Sequence, residues 1–233
     1  MDRLDKLISK NLNLTRSKAK SLIKGGSVFV NSRPAKSGDL KVSEADSITV
    51  DGREINARQF VYIMLNKPEG VVSASEDKSE KTVLDLLPAE MRRRGLFPAG
   101  RLDKNTTGFI LITDDGEFAH SILSPKKHID KTYIAVLDKP FDEALIKEFE
   151  SGITLDGEAL LPARLSAVDG DFTKAEIVIR QGIYHQIKRM FKKYGITVLE
   201  LKRTKMGSLP LDESLKAGEA RYITGEELLL IKE

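Results

Sequence analysis

The sequence predicts an α+β protein of two domains, residues 1–58 and 59–233. Three observations carry that expectation. Residues 1–36 hold nine Lys and Arg against two Asp and Glu, a net of +7, while the rest holds 29 against 33, a net of −4. Two helical patterns, a Gly-Gly break and two short strand patterns occupy the basic stretch and the residues just after it. From residue 60 onward, strand-like and helix-like runs follow in uneven order, which argues against a doubly wound parallel sheet.

With 233 residues, 40% hydrophobic and 31% charged, the chain can bury a core in one or two globular domains. It has no cysteine, which excludes disulfides, zinc fingers and thiol nucleophiles. His120, His128 and His185 are too scattered to suggest a metal centre. The start, Met1-Asp2-Arg3-Leu4-Asp5-Lys6, has no apolar stretch of a secretory signal. No apolar run approaches the ~20 residues that span a bilayer. The expectation is a cytoplasmic protein with no membrane partner. A basic head on a near-neutral body points to a polyanion-binding module, with an ordinary solvated basic surface as the alternative.

In the first helix, residues 2–10, Leu4, Leu7 and Ile8 fall on one face. The second, residues 15–24, has Thr15 as N-cap and an apolar stripe of Ala19, Leu22 and Ile23. Arg16, Lys18, Lys20 and Lys24 cover the rest of its surface. Gly25-Gly26 ends it with residues tolerant of left-handed geometry. Strands follow at 27–31 and 47–50, then an Asp51-Gly52 turn and a polar linker over 51–59.

The second domain opens on the strand Phe60–Asn66. Further strands are expected at 109–113, 132–137, 175–180 and 197–202, and helices at 116–123, 142–150, 184–194 and 225–231. In the last-but-one helix, Ile187, Met190, Phe191 and Tyr194 make an inward stripe, which read alone is a basic amphipathic helix.

Gly100-Arg101-Leu102-Asp103-Lys104-Asn105-Thr106-Thr107-Gly108 is the most informative stretch. It sets one carboxylate, Asp103, beside two cations in a glycine-bounded turn that feeds the buried strand run Phe109–Ile112. A turn fixed to a rigid strand is a common place for a catalytic group, although most Asp residues in such turns cap or close them. Asn66-Lys67-Pro68-Glu69-Gly70 is a rigid turn with a cation at its start. Tyr133 lies on the strand Lys131–Val136, where a tyrosine is most often half-buried core. Asp114-Asp115-Gly116 offers adjacent carboxylates, but side chains adjacent on a strand end point apart, so a turn is simpler than a paired-carboxylate hydrolase.

The Gly-Arg-Leu-Asp block with Thr-Thr-Gly and its hydrophobic strand resembles the motif of pseudouridine synthases of the RsuA/RluB/RluE/RluF group. Asn66–Gly70 resembles that family's first motif, which supports the active-site cleft. Leu123-Ser124-Pro125-Lys126-Lys127-His128 resembles its approach to an active-site tyrosine, and Gln181-Gly182-Ile183-Tyr184-His185-Gln186-Ile187-Lys188 resembles its third motif. Gln181 and Ile183 depart from the family's usual Glu-Gly-Lys/Arg-Tyr opening, and altered surface contacts are expected there. The N-terminal order of helix, basic helix, Gly-Gly and strands resembles the RNA-binding domain shared with ribosomal protein S-four.

The resemblance implies a small N-terminal S4-like domain followed by a mainly antiparallel mixed-sheet catalytic domain. It implies that Asp103 is the essential carboxylate, that Tyr133 stacks on an everted uracil, and that Lys188 pairs with Asp103 and keeps it ionised in a dry pocket. Arg101 would enter the helix stack or bind phosphate, and Arg16, Lys18, Lys20 and Lys24 would grip the RNA backbone. No cofactor is implied, since the base only exchanges one bond to ribose for another. The closest branch implies a monomer acting on one uridine of small-subunit (16S) ribosomal RNA, the uridine 516 class, within a small-subunit assembly intermediate. The alternatives are a large-subunit (23S) synthase and a non-catalytic RNA-binding assembly factor.

Overall fold

The computed structural model describes residues 1–55, 60–124 and 129–232. They form two compact units, one of Met1–Val61, Pro88–Leu96 and Thr113–Asp115, the other of Tyr62–Leu87, Phe97–Ile112 and Gly116–Glu233. The expected domain boundary at 58/59 lies outside the described residues, as do 125–128 of the Ser-Pro-Lys-Lys-His phrase.

In the first unit, α1 (Leu4–Asn11) and α2 (Arg16–Lys24) pack through Leu4, Leu7, Ile8, Ala19 and Ile23, all nearly fully buried. Thr15 caps α2 by accepting from the Lys18 amide at 3.2 Å, and Gly26 takes the left-handed φ of 78° that closes it. Strands β1 (Val28–Val30), β2 (Arg33–Pro34), β3 (Ile48–Val50) and β4 (Arg53–Ile55) form an antiparallel sheet in the order β2-β1-β3-β4. The expected linker over 51–59 therefore needs correction. Asp51 and Gly52 both take positive φ, which makes a tight hairpin turn, so Arg53–Ile55 folds back on β3.

The same unit holds two buried carboxylates. Asp5 is fully buried and accepts from Arg3 and Arg16, which hold it well below the usual carboxylate range despite its burial. Asp114 takes Lys10 at 2.6 Å, the Arg93 Nε at 2.6 Å and the Val61 amide at 3.0 Å. Its oxygens are thus committed to structure, consistent with a turn role for the Asp-Asp-Gly stretch.

The second unit is built on a nine-stranded sheet. Its main strands are β5 (Tyr62–Lys67), β6 (Thr106–Thr113), β7 (Lys131–Leu137), β8 (Arg164–Val168), β9 (Asp171–Ile179), β10 (Val198–Met206) and β11 (Ala220–Tyr222), in the order β8-β9-β7-β10-β6-β5-β11. The pairings β8–β9, β9–β7, β7–β10 and β5–β11 are antiparallel, and β10–β6 is parallel. This is the mixed, mainly antiparallel sheet that the family resemblance implies. Phe109, Ile110, Leu111 and Ile112 of β6 are fully buried, as expected of a strand covered on both faces. Strands β8 and β11 were not expected, because Arg164–Val168 and Ala220–Tyr222, five and three residues long, are too short for a period to stand out.

Among the described residues, four helices complete the unit: α3 (Gly116–Leu123), α4 (Glu143–Ser151), α5 (Gln186–Lys193) and α6 (Gly225–Leu230). Asp142 caps α4, and a Thr224–Glu227 capping box starts α6. Phe191 of α5 packs on Phe149 of α4, with ring centroids 5.2 Å apart. Both rings are fully buried, a contribution of roughly 1.5–3 kcal/mol each. Tyr194 departs from the expected stripe. It ends α5 partly exposed, because its hydroxyl donates to Glu148 at 3.0 Å. None of the described helices is long and apolar enough to cross a membrane.

Candidate active site

The turn that carries Asp103 is fixed by its neighbours. Gly70 donates its amide to the Lys104 carbonyl at 2.9 Å, and Thr106 donates to the Asp103 carbonyl at 3.0 Å. Ser73 grips Leu102 twice, its hydroxyl donating to the Leu102 carbonyl at 2.9 Å and accepting from the Leu102 amide at 3.0 Å. Lys67 is completely buried, and its ammonium donates to the carbonyls of Pro68, Lys104 and Thr106 at 3.0, 3.0 and 2.9 Å. Three acceptors match the three protons of an ammonium. Burial pulls the Lys67 pKa down to about 8, against the opposing pull of Asp103 and Glu69. The sequence reading gave Lys67 as the cation of a turn whose motif supports the cleft; in the structure it ties that turn, at Pro68, to the chain just after Asp103, at Lys104 and Thr106.

Gly108 explains the end of the motif. Its φ is 95°, and a Cβ there would lie 2.2 Å from the Arg203 carbonyl. Only glycine lets β6 come this close to β10 at their parallel junction.

Asp103 faces an open cavity of about 710 Å³, lined also by Arg101, Tyr133, Tyr184, His185 and Lys188. That volume is within the range of small-molecule sites. Lys188 Nζ lies 3.6 Å from one Asp103 carboxylate oxygen, and His185 Nε2 lies 3.5 Å from the other. Tyr133 is only 7% exposed. It sits where β7 shifts register against β10 between Thr132 and Tyr133, an irregularity of the kind that re-aims a side chain. The three residues singled out in the sequence, Asp103, Tyr133 and Lys188, thus line one cavity with Arg101. Arg16, Lys18, Lys20 and Lys24 belong to the other unit, on α2, where all four are exposed. Two of them also serve Asp5: Arg16 lies at 3.0 Å and Lys20 at 3.7 Å from its carboxylate.

The cavity differs from expectation in two ways. The Asp103 side chain stays 27% accessible, so its pocket is not dry, because a turn at the open end of β6 carries it. The helix expected from residue 184 begins at Gln186, because His185 takes a left-handed φ of 49°. That conformation brings the imidazole to Asp103. His185 is the site residue that sequence reasoning missed. The His-Gln pair in the third motif was its signal.

Against known families, residues 61–193 match the RNA pseudouridylate synthase family and residues 2–48 match the S4 domain. The chain belongs to the RNA pseudouridylate synthase family. It is an enzyme that isomerises uridine to pseudouridine, with an S4 domain ahead of its synthase domain. It is 42% identical to an uncharacterized RNA pseudouridine synthase of Bacillus subtilis (strain 168), covering 99% of this chain and 98% of the relative. It is also 42% identical to ribosomal small subunit pseudouridine synthase A of Vibrio cholerae (serotype O1, strain ATCC 39315 / El Tor Inaba N16961), covering 98% and 99%. A crystal structure of a pseudouridylate synthase superposes with a TM-score of 0.68 at 38% identity, covering 99% of this chain and all of that one.

Proposed function

We propose that this synthase converts a uridine of small-subunit (16S) ribosomal RNA, of the uridine 516 class, to pseudouridine. Residues 1–58 serve as the RNA grip and residues 59–233 as the catalytic body. The observation that carries the chemistry is Asp103, clamped on its turn, facing a cavity with Lys188 at 3.6 Å and with Tyr133 in the wall. The choice of RNA is supported by 42% identity along nearly the whole chain to relatives named for the small ribosomal subunit.

The target uridine leaves its stack, at a cost of a few kcal/mol. Asp103 then meets its ribose, and the bond from C1′ to N1 breaks. Tyr133 holds the freed uracil while it turns, by stacking on its face. A bond forms from C1′ to C5, the C5 proton leaves, and N1 takes up a proton. Atoms balance without an added reactant. Lys188, 3.6 Å away, orients the carboxylate through the cycle. Arg101 binds phosphate beside the everted nucleotide, while Lys18 and Lys24 of α2 contribute contacts to the backbone elsewhere on the RNA.

The test is tritium release from ribosomal RNA labelled at C5 of uridine, together with mapping of modified sites in cells that lack the protein. Loss of one pseudouridine from small-subunit RNA is expected. Loss from large-subunit RNA alone would overturn the substrate assignment.

A further inference from the structure

At the cavity rim, Tyr184 keeps 75% of its surface accessible. Its ring stacks on the imidazole of His185, with centroids 3.8 Å apart and planes 17° from parallel. Its backbone is held, since its carbonyl accepts from Arg189 Nη1 at 3.2 Å. The stack is therefore fixed at both ends, by α5 on one side and, through His185, by Asp103 at 3.5 Å on the other. An exposed tyrosine with one face covered by a ring presents its second face outward, and that face contributes nothing to the core.

We propose that Tyr184 is a stacking platform for the base of a nucleotide next to the target uridine. This rests on the reading of Asp103 as the carboxylate that meets the target ribose. Tyr184 and Asp103 line the same cavity, Tyr184 with most of its ring exposed, so a nucleotide next to the everted uridine passes within reach of the outer face of that ring. Tyr133, almost fully buried, keeps the target base itself. Every base offers a π face, so the platform contributes affinity and commits the flanking strand to the everted path without reading base identity.

Steady-state tritium release tests this with wild type, Tyr184→Phe, Tyr184→Leu and Tyr184→Ala. The Phe variant is expected to keep the wild-type KM. The Leu and Ala variants are expected to raise it by about tenfold, within the range of losing one base–aromatic stack, with kcat close to wild type. In a second measurement, 2-aminopurine replaces each base flanking the target. Its fluorescence should be quenched on binding to wild type, and much less on binding to the Ala variant. An unchanged KM in the Ala variant would overturn the platform, as would a Leu variant that behaves like Phe. A fall in kcat at constant KM would also overturn it, because the effect would then run through His185 to the carboxylate. These failures are separable from that of the functional reading. Wild type that releases no tritium sinks the reading; active wild type with an indifferent Ala variant sinks the platform alone.

Discussion

The Lys188 ammonium lies 3.6 Å from the carboxylate of Asp103, and the two are carried by different elements. Asp103 comes on a turn leading into β6, Lys188 on the first turn of α5. The helix is fixed from behind by Ile187, Met190 and Phe191, all buried. The pair is thus set by the fold and not by local sequence, since 85 positions separate its members.

The first prediction concerns this pair. Asp103→Asn keeps the shape of the side chain and removes its charge. RNA affinity should stay near wild type while tritium release falls on the order of 10⁴-fold. Lys188→Met should cost on the order of 10²-fold in kcat, and Lys188→Arg should recover most of it, because a cation returns to the same place. Filter binding and single-turnover tritium release separate the two effects. Full turnover by the Asn variant would remove Asp103 from the chemistry.

Lys67 carries the second prediction. Lys67→Met fills the same space but leaves three carbonyls without their donor. The expected loss is about 3 kcal/mol, a drop of roughly 6–12 °C in Tm. Activity should fall further than RNA affinity, since two of those carbonyls, of Lys104 and Thr106, belong to the turn that follows Asp103. A variant with unchanged Tm and turnover would show that the clamp is idle.

What could be read from the chain beforehand follows physical lines. Strong local signals were clear: the fully apolar run Phe109–Ile112, the Thr15 cap, and the amphipathic stripe of α5. Asp103, Tyr133 and Lys188 were found through motif resemblance, and the structure places them around one cavity. Three features were hidden because they depend on non-local packing. Lys67 was placed in a turn whose motif supports the cleft, but how it does so was not legible until its three carbonyl partners were in view. Ser73 gave no signal for its double grip on Leu102, which is 29 positions away. His185 was placed inside a helix, because nothing in its periodicity announces a left-handed backbone at the N-cap.

Gly108 gives the third prediction. Gly108→Ala would set a Cβ 2.2 Å from the Arg203 carbonyl and 3.0 Å from its nitrogen, at a φ of 95°. Backbone lines both contacts, so relief requires β6 and β10 to part. A loss of at least about 3 kcal/mol is expected. Gly116→Ala is the control, because a Cβ at Gly116 meets nothing within 4 Å. That variant should be neutral or slightly stabilised. Chemical denaturation of both variants decides the matter, and equal midpoints would refute the close-approach argument.

The fourth prediction concerns the basic helix α2. Arg16 and Lys20 lie beside the buried Asp5, so substitution there would disturb the fold as well as RNA contact. Lys18 and Lys24 are the cleaner probes. Replacing both with Ala should weaken RNA binding and lower the slope of log K against log salt by about 1.4 to 1.8. The Tm and the single-turnover rate at saturating protein should barely change. An unaltered salt slope would show that these two lysines do not meet phosphate.

The last prediction concerns pH. Lys67 and Lys131 both titrate near 8, chiefly because burial disfavours their charged forms, with Arg203 adding repulsion at Lys131. Lys131 still donates to the carbonyls of Ile129 and Arg180 at 2.9 and 3.2 Å. An unfolded lysine titrates at about 10.4. Between about 8 and 10.4 the unfolded chain therefore binds more protons than the folded one, and unfolding free energy rises with pH. Below 8 both states are protonated, and the contribution stays flat at its least favourable value. The stability of wild type relative to Lys131→Met should accordingly grow as pH rises from 8 to 10. Because Asp103 is the larger of the two carboxylates that raise the Lys67 pKa, Asp103→Asn should move the Lys67 midpoint below 8. Carbon-13 titration of the lysine ε-methylenes reads both groups directly. Midpoints at the ordinary lysine value would mean that neither ammonium is as dry as its surroundings imply.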